Sequence, residues 1–529
     1  MTARATTSLQ AFASRTKVQP RRGLLSGALS ACLTVLLSAG LIEPLGAVES
    51  EKADATGVVI RIDSSKTTRR IEVNPTGYCM SFLNDDATGP DIKPFAGVFK
   101  SMRTGSLRFP MGTLAENYLF HDLRLGAPKE GALQPRVITK KKYPGPWSWA
   151  VNPDGSYKAE TLDFDEFITM CRASNTEPVV LVSSHGHLFP GAEFTEEDIL
   201  RNAEEWVRYA NVTRKLGIKY WEIGNEVDLP QLRKLMPKEQ YLKLYQKMAT
   251  RMKKVDPSIR VGLGTFSGKA YATEALAQFP ELVDFVVVHH YMGWMKTYED
   301  YLNSTGSFMK DSAKVLSIID KVAPDDRKQS TEILITEFSS FCAGVKDVPA
   351  DREKNSITSA MITFEMLATG VAMDDRVRFL HFWVTHNPWG KNNPTDYANA
   401  FAPDNSILPQ GRAIEIMGRF LQDRMVAVDC PDGPIRCWAS SSKDSSKLAI
   451  WVVNRTQQAQ ETTLNIPGFQ ATDQLSSWSF AGKSPYDEQP TWGAGKDVKV
   501  RDGSVTATLP PLSITVFHNI TPDHSSQGE

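Results

Sequence analysis

Phe285-Val286-Val287-Val288-His289-His290-Tyr291 runs apolar for four residues with no polar alternation, then ends in two imidazoles and a phenol. An unbroken run rich in β-branched residues suits a strand buried on both faces, as in a parallel sheet covered by helices. Val179-Val180-Leu181-Val182 reads the same way. Working outward from these two runs, the sequence predicts eight strands: Gly77–Phe82, Ser106–Pro110, Pro178–Ser183, Tyr220–Glu226, Arg260–Phe266, Asp284–Tyr291, Glu332–Phe338 and Arg378–Thr385. Helix candidates separate them: Ile92–Met102, Asp163–Ser174, Glu204–Leu216, Lys238–Lys254, Lys310–Val322, Arg352–Thr369 and Ile407–Leu421. In the fourth of these, Tyr241, Leu242, Leu244, Tyr245, Met248 and Met252 recur at helical spacing among Lys and Gln, so one face is buried. A doubly wound open sheet would give the same alternation, but eight strands point to a (β/α)8 TIM barrel in the α/β class.

From Met425 the helical signal stops. Short β-like runs (Leu448–Val453, Glu461–Ile466, Ser504–Leu509, Ser513–Phe517) alternate with Gly, Pro, Asp and Ser turns, the pattern of a β-sandwich. Two runs ahead of the barrel, Val58–Ile62 and Arg70–Val73, have no barrel role and are expected to complete that sandwich. The expected organisation is an N-terminal signal peptide or anchor over 1–47, strands joining the sandwich over 48–74, the barrel over 75–423, the sandwich over 424–521 and a disordered tail over 522–529.

The first segment carries Arg15, Lys17, Arg21 and Arg22 ahead of an uncharged apolar run from Gly23 to Ile42. That order is an export signal, either cleaved near Leu45-Gly46-Ala47 or retained as an anchor, which is the one route to a membrane this sequence offers. Lys and Arg total 60 against 61 Asp and Glu, a net charge of −1, so bulk electrostatics favours no nucleic acid partner. Six cysteines in 529 residues are too few for a disulfide framework. Cys430 and Cys437 flank a Pro-Asp-Gly-Pro turn and are read either as a hairpin bridge or as two thiols. The pairs His185/His187 and His289/His290 lack the carboxylate or thiolate spacing of a metal site, so no metal and no cofactor are expected.

In a parallel barrel the active site lies where strand C-termini meet the following loops. Here the second strand ends Arg108-Phe109-Pro110, the fourth Gly224-Asn225-Glu226, the sixth His289-His290-Tyr291, the seventh Thr336-Glu337-Phe338 and the eighth His381-Phe382-Trp383. Glu226 and Glu337 lie 111 residues apart, three strand–helix units, which carries the chain across the barrel mouth. Two carboxylates so placed suit glycoside hydrolysis by double displacement, Glu337 attacking the anomeric carbon and Glu226 protonating the leaving oxygen. Retention needs the carboxyls about 5–5.5 Å apart, inversion about 6.5–9.5 Å. An ionised Glu337 is expected to keep Glu226 protonated by charge repulsion until it is itself covalently occupied.

Arg108 is expected to orient the nucleophile. His289 and Tyr291, two apart on one strand, share a face with Phe285 and Val287 and should point inward. Trp294, Trp383 and Trp389, with His386 and Asn387, offer stacking and polar contacts to a sugar. Tyr143–Trp149 and the His185-Gly186-His187 segment are candidate specificity loops.

Trp221-Glu222-Ile223-Gly224-Asn225-Glu226-Val227 resembles the acid/base strand of clan A glycoside hydrolases, in which the Asn before the catalytic Glu binds the sugar's 2-hydroxyl; the resemblance assigns that contact to Asn225. The order of further stretches is most similar to family 51, the α-L-arabinofuranosidases. Ser106–Gly112 resembles its Arg-x-Pro-Gly-Gly segment, His289 and Tyr291 its His-x-Tyr, Ile335–Phe338 its nucleophile strand, and Leu509–Ser513 the end of its C-terminal sandwich. Met111 stands where that family has glycine, Asn is absent after Gly112, and Thr336 and Phe338 replace the nucleophile's usual neighbours. The resemblance implies an exported retaining glycosidase acting on a carbohydrate, with an arabinofuranoside first and other clan A substrates (uronides, agar-type galactans, xylans) or a non-catalytic sugar-binding barrel as alternatives.

Overall fold

The computed structural model describes residues 57–83, 85, 94–141, 149–305, 308–342, 345–388 and 396–520. The predicted export segment, Trp389, residues 143–148 of the first candidate specificity loop and the 522–529 tail lie outside the described residues.

Eight strands close into a parallel barrel in chain order: Thr76–Cys79, Ser106–Phe109, Glu177–Val182, Tyr220–Ile223, Arg260–Leu263, Phe285–Tyr291, Glu332–Ser339 and Val377–Phe382. All eight predicted strands are present. Inward-facing Val179, Tyr220, Phe285, Val287, Leu334 and Phe379 fill the lower interior as one apolar plug. Polar side chains are thereby confined to the upper end, where the ladder stops.

Several predicted strands overran their C-termini. Pairing ends at Cys79, Ile223, Leu263 and Phe382, and the residues beyond leave the ladder to form the mouth. The third helix begins at Glu196, where Thr195 and Asp198 form a capping box, and ends in a π-helical turn, Arg208–Thr213. The helix predicted from Arg352 begins at Ile357 behind a Ser356 cap; Arg352 lies in a preceding 3-10 turn. A helix unmarked in the sequence reading, Lys269–Gln278, links the fifth and sixth strands; it is alanine-rich and weakly amphipathic, so periodicity did not reveal it.

The C-terminal strands form a ten-stranded sheet in which Val58–Arg70 is a single long strand, antiparallel to Arg424–Asp429 on one side and parallel to Gln460–Asn465 on the other. The two short strands expected there are replaced by this one, interrupted by register shifts between Asp63 and Thr67 and between Thr67 and Arg69; no strand covers residues 71–73. Ile60, Ile62, Val426, Ile450, Leu464, Leu475 and Val505 share one buried cluster, so strands far apart in the sheet face each other as in a sandwich. Its opposite face, including Trp451, Ile514 and Val516, packs into the core shared with the barrel. A buried ion pair reinforces that junction. Arg455 Nε donates to Glu365 Oε1 at 2.7 Å, and Arg455 Nη1 donates to the Ser304 carbonyl at 2.9 Å. Cys430 and Cys437 are both thiols.

Candidate active site

Three backbone devices build the mouth of the barrel. On the second strand the chain turns through Met111 at φ 91° into Gly112. A Cβ on Gly112 would lie 2.3 Å from Glu337 Oε1 and 2.7 Å from Trp383 Cζ3, so the site needs a residue without a side chain there. After the fourth strand, Gly224 at φ 78° and Glu226 at φ 52° turn the chain back over the barrel. A left-handed non-glycine residue costs roughly 1–2 kcal/mol, and here that conformation falls on a proposed catalytic carboxylate. On the seventh strand the register slips between Leu334 and Glu337, where one extra residue opposes the sixth strand's partner. Simple alternation would put Thr336 and Glu337 on opposite faces. The bulge lets both reach the interior, Thr336 to His289 and Glu222, Glu337 to Arg108 and Tyr291.

Charged side chains then pin the loops. Glu116, in the turn after Gly112, accepts backbone N–H bonds from Ser184 (2.8 Å), His185 (3.0 Å) and Asn225 (2.7 Å), joining the ends of strands two, three and four. Asp228 accepts from the N–H groups of Phe266 (2.5 Å) and Ser267 (2.9 Å), tying the fourth loop to the fifth. Arg352, fully buried, donates to the carbonyls of Met295 and Ser340 and holds the sixth and seventh loops together.

Within this frame the predicted residues converge. Arg108 is fully buried; its Nη1 donates to Glu337 Oε1 at 2.9 Å and its Nη2 to Asn225 Oδ1 at 2.8 Å. Tyr291 donates its hydroxyl to Glu337 Oε2. His289 Nδ1 lies 3.0 Å from Glu226 Oε1 and 3.5 Å from Glu337 Oε2, between the two carboxylates. Glu226, His289 and Glu337 present side-chain atoms all within 4.8 Å of one another, close enough to share one cation, and Arg108 already places a positive charge against them. Trp383, half-buried, stands beside Glu337 across Gly112. Trp294 does not join them: the residue is 55% exposed on the loop after the sixth strand. His386 turns to Asp85, its Nδ1 2.6 Å from Oδ1.

The two carboxyls differ in setting. Glu226 retains 15% of its side-chain exposure and Glu337 4%, so Glu226 faces the opening and Glu337 lies deeper. Burial pushes the Glu226 carboxyl up to about 7; Asp228 adds to the rise and Arg108 opposes it. Burial, rather than the charge on Glu337 expected from sequence, is thus the main cause. Glu337 is also raised, by burial and by Glu226, but His289, Arg108 and the Tyr291 hydroxyl pull it back. Burial lowers His289, and the neighbouring Glu337 opposes the fall.

Sequence reasoning missed Glu116, Glu222, Phe266 and Thr336. Phe266 stacks on Tyr291 at a ring separation of 6.4 Å and meets His289 edge-on at 6.0 Å. Glu222 was legible by alternation, being two residues beyond inward Tyr220. The others depend on loop paths and the bulge.

No protein-family model and no curated protein matches the sequence. Solved structures do. An α-L-arabinofuranosidase from Thermotoga maritima, in complex with arabinose, superposes with a TM-score of 0.67 at 18% identity, over 87% of this chain and 99% of its own. The family 51 α-L-arabinofuranosidase of Thermotoga petrophila gives 0.65 at 18% identity, over 88% and 100%. A family 44 xyloglucanase from Paenibacillus polymyxa gives 0.60 at 12% identity, over 87% and 99%. This chain therefore has the fold of these glycoside hydrolases, a TIM barrel joined to a β-sandwich, along nearly the whole of their length.

Proposed function

We propose that the chain is an exported retaining glycoside hydrolase acting by double displacement on side chains of polysaccharides or oligosaccharides, α-L-arabinofuranosides foremost. The observation that carries this reading is the pair Glu226 and Glu337, with oxygens within 4.8 Å and different partners: Glu226 faces the opening with its carboxyl pushed up to about 7, while Glu337, raised as well by burial, is bound by Arg108 and Tyr291. Two carboxyls this near one another can reach one sugar, as a nucleophile and an acid must.

In the first step a Glu337 oxygen attacks the anomeric carbon while Glu226 gives its proton to the glycosidic oxygen, and the alcohol leaves. The positive charge developing on the sugar ring meets the anionic Glu337. In the second step Glu226, now ionised, takes a proton from water, whose oxygen attacks the same carbon and releases Glu337. His289 beside Glu226 holds the carboxyl in line, and Asn225, fixed by Arg108, presents its amide to a ring hydroxyl. Trp383 offers the apolar face on which a sugar packs. Export rests on the basic-then-apolar N-terminal sequence.

A second reading within the same mechanism is a different clan A specificity, favoured by the family 44 xyloglucanase, which matches over the same 87% of the chain. A panel of aryl glycosides and polysaccharides separates the two. Glu226→Ala should keep activity on substrates with activated leaving groups and gain turnover with azide, yielding a glycosyl azide of retained configuration; Glu337→Ala should lose normal turnover. Full activity in either variant would overturn the assignment.

A further inference from the structure

Glu222 has no assigned role in the chemistry above, yet it lies fully buried in the barrel four residues before the proposed acid. Its carboxylate grips Arg108 side-on: Nε donates to Oε2 at 2.9 Å and Nη2 to Oε1 at 2.7 Å. A guanidinium has five N–H groups in a fixed plane. Here each has a partner: two meet Glu222, one Asn225 at 2.8 Å, one Glu337 at 2.9 Å, and the last points to Cys79 Sγ at 3.6 Å, a weak contact.

We propose that Glu222 is a positioning residue: by occupying the fork of Arg108 and sharing its charge, it keeps Glu337 aimed at the sugar as a basic nucleophile. The idea rests on the glycosidase reading of the site. Without Glu222, the favoured geometry of Arg108 is to turn its fork onto Glu337 and bind both oxygens, including the one that Tyr291 now steadies. A carboxylate held by a lone guanidinium is stabilised as an anion and so weakened as a nucleophile. Glu222 prevents both changes, because it makes the pair it forms with Arg108 electrically neutral and leaves Glu337 a single N–H bond. A second link runs from the Thr336 hydroxyl, which donates to Glu222 Oε1 at 3.4 Å and lies 3.0 Å from His289 Nε2.

The groups facing Glu337 are Cys79 and Arg108 from strands one and two, Glu226 from the turn after strand four, His289 and Tyr291 from strand six, and Cys342 from the loop after strand seven; Glu222 and His381 bear on it through Arg108. Glu222→Gln changes the charge of only one of them.

The test compares the full-length chain with Glu222→Gln and Glu222→Asp. Readouts are the pH profile of kcat/KM on an aryl glycoside and carbon-13 NMR titration of Glu337 in glutamate-labelled protein, assigned with Glu337→Gln. In Glu222→Gln the acid limb and the NMR midpoint should fall by about one pH unit, with kcat down at least about tenfold and KM little changed. Glu222→Asp, which keeps the charge, should stay nearer wild type in both. An unmoved midpoint in folded Glu222→Gln, or an equal shift in Glu222→Asp, overturns the proposal. Wild type alone also tests it: a midpoint for Glu337 below about 3, as for a carboxylate beside an unshared guanidinium, refutes charge sharing even if no variant folds. If no glycoside is cleaved the glycosidase reading fails, while the NMR comparison still decides the role of Glu222.

Discussion

Gly112→Ala adds one methyl group at the most crowded point of the mouth. Gly112 has φ −92° and ψ −114°, and the atoms a new Cβ would meet set the size of the effect. The new Cβ would sit 2.3 Å from Glu337 Oε1, 2.7 Å from Trp383 Cζ3 and 3.0 Å from Cη2, whereas real Cβ contacts do not fall below 3.0 Å. Glu337 must therefore retreat by about 0.7 Å, or the turn must, and retreat is opposed by Arg108 on one oxygen and Tyr291 on the other. Trp383 gives way less easily than a flexible chain end, because its backbone N–H is bonded to the Phe338 carbonyl at 2.9 Å. Overpacking of this size costs about 1–3 kcal/mol of stability. A misplacement approaching 1 Å of a reacting group costs on the order of 100-fold in rate. The variant should fold with a Tm lowered by a few degrees and lose roughly 30- to 100-fold in kcat/KM, measured on the best aryl glycoside. Wild-type kcat/KM in Gly112→Ala would refute the placement of Glu337 against this turn.

Tyr291→Phe removes the hydroxyl that holds Glu337 down, so the acid limb of kcat/KM should move to higher pH by up to about one unit; an unmoved limb in the pH–rate profile contradicts that bond. Glu226, raised from the ordinary 4.5 to about 7, binds its proton more tightly folded than unfolded. Wild type should therefore lose stability as pH rises from 4.5 to 7, while Glu226→Gln does not; the gap in unfolding free energy should widen by about 3 kcal/mol across that window. Parallel denaturation curves for the two proteins at pH 4 and 8 would count against it. Glu365→Ala strands Arg455 in the junction between barrel and sandwich, where breaking a buried pair costs about 3–5 kcal/mol; calorimetry showing a loss under 1 kcal/mol would place that pair outside the stabilising core.

The barrel was legible because its strands are buried on both faces, and runs such as Phe285–Val288 have no other economical reading. The proposed catalytic pair could be picked out in the sequence because Glu226 follows strand four and Glu337 lies near the end of strand seven. The limits were physical. Val377–Phe382 pairs only to Phe382, yet its apolar character continues through Val384, so composition could not mark where the ladder stops. Glu337 faces inward because of a bulge, and a two-residue period cannot foresee a one-residue insertion. Glu116 acts through backbone N–H groups supplied by loops at 184, 185 and 225, partners that no local pattern identifies. Trp294 was chosen for its chemistry, and only the path of its loop shows it turned to solvent.

The strand Val58–Arg70 has a consequence for how the molecule is made. Its antiparallel neighbour, Arg424–Asp429, is translated more than 350 residues later, an interval of roughly 20–70 s at ordinary rates of synthesis. For that time a thirteen-residue strand has neither of its two partners to pair with. Truncation from either end would then leave an open sheet edge rather than a smaller domain, and the nascent chain is most exposed to aggregation in the interval before the two ends meet.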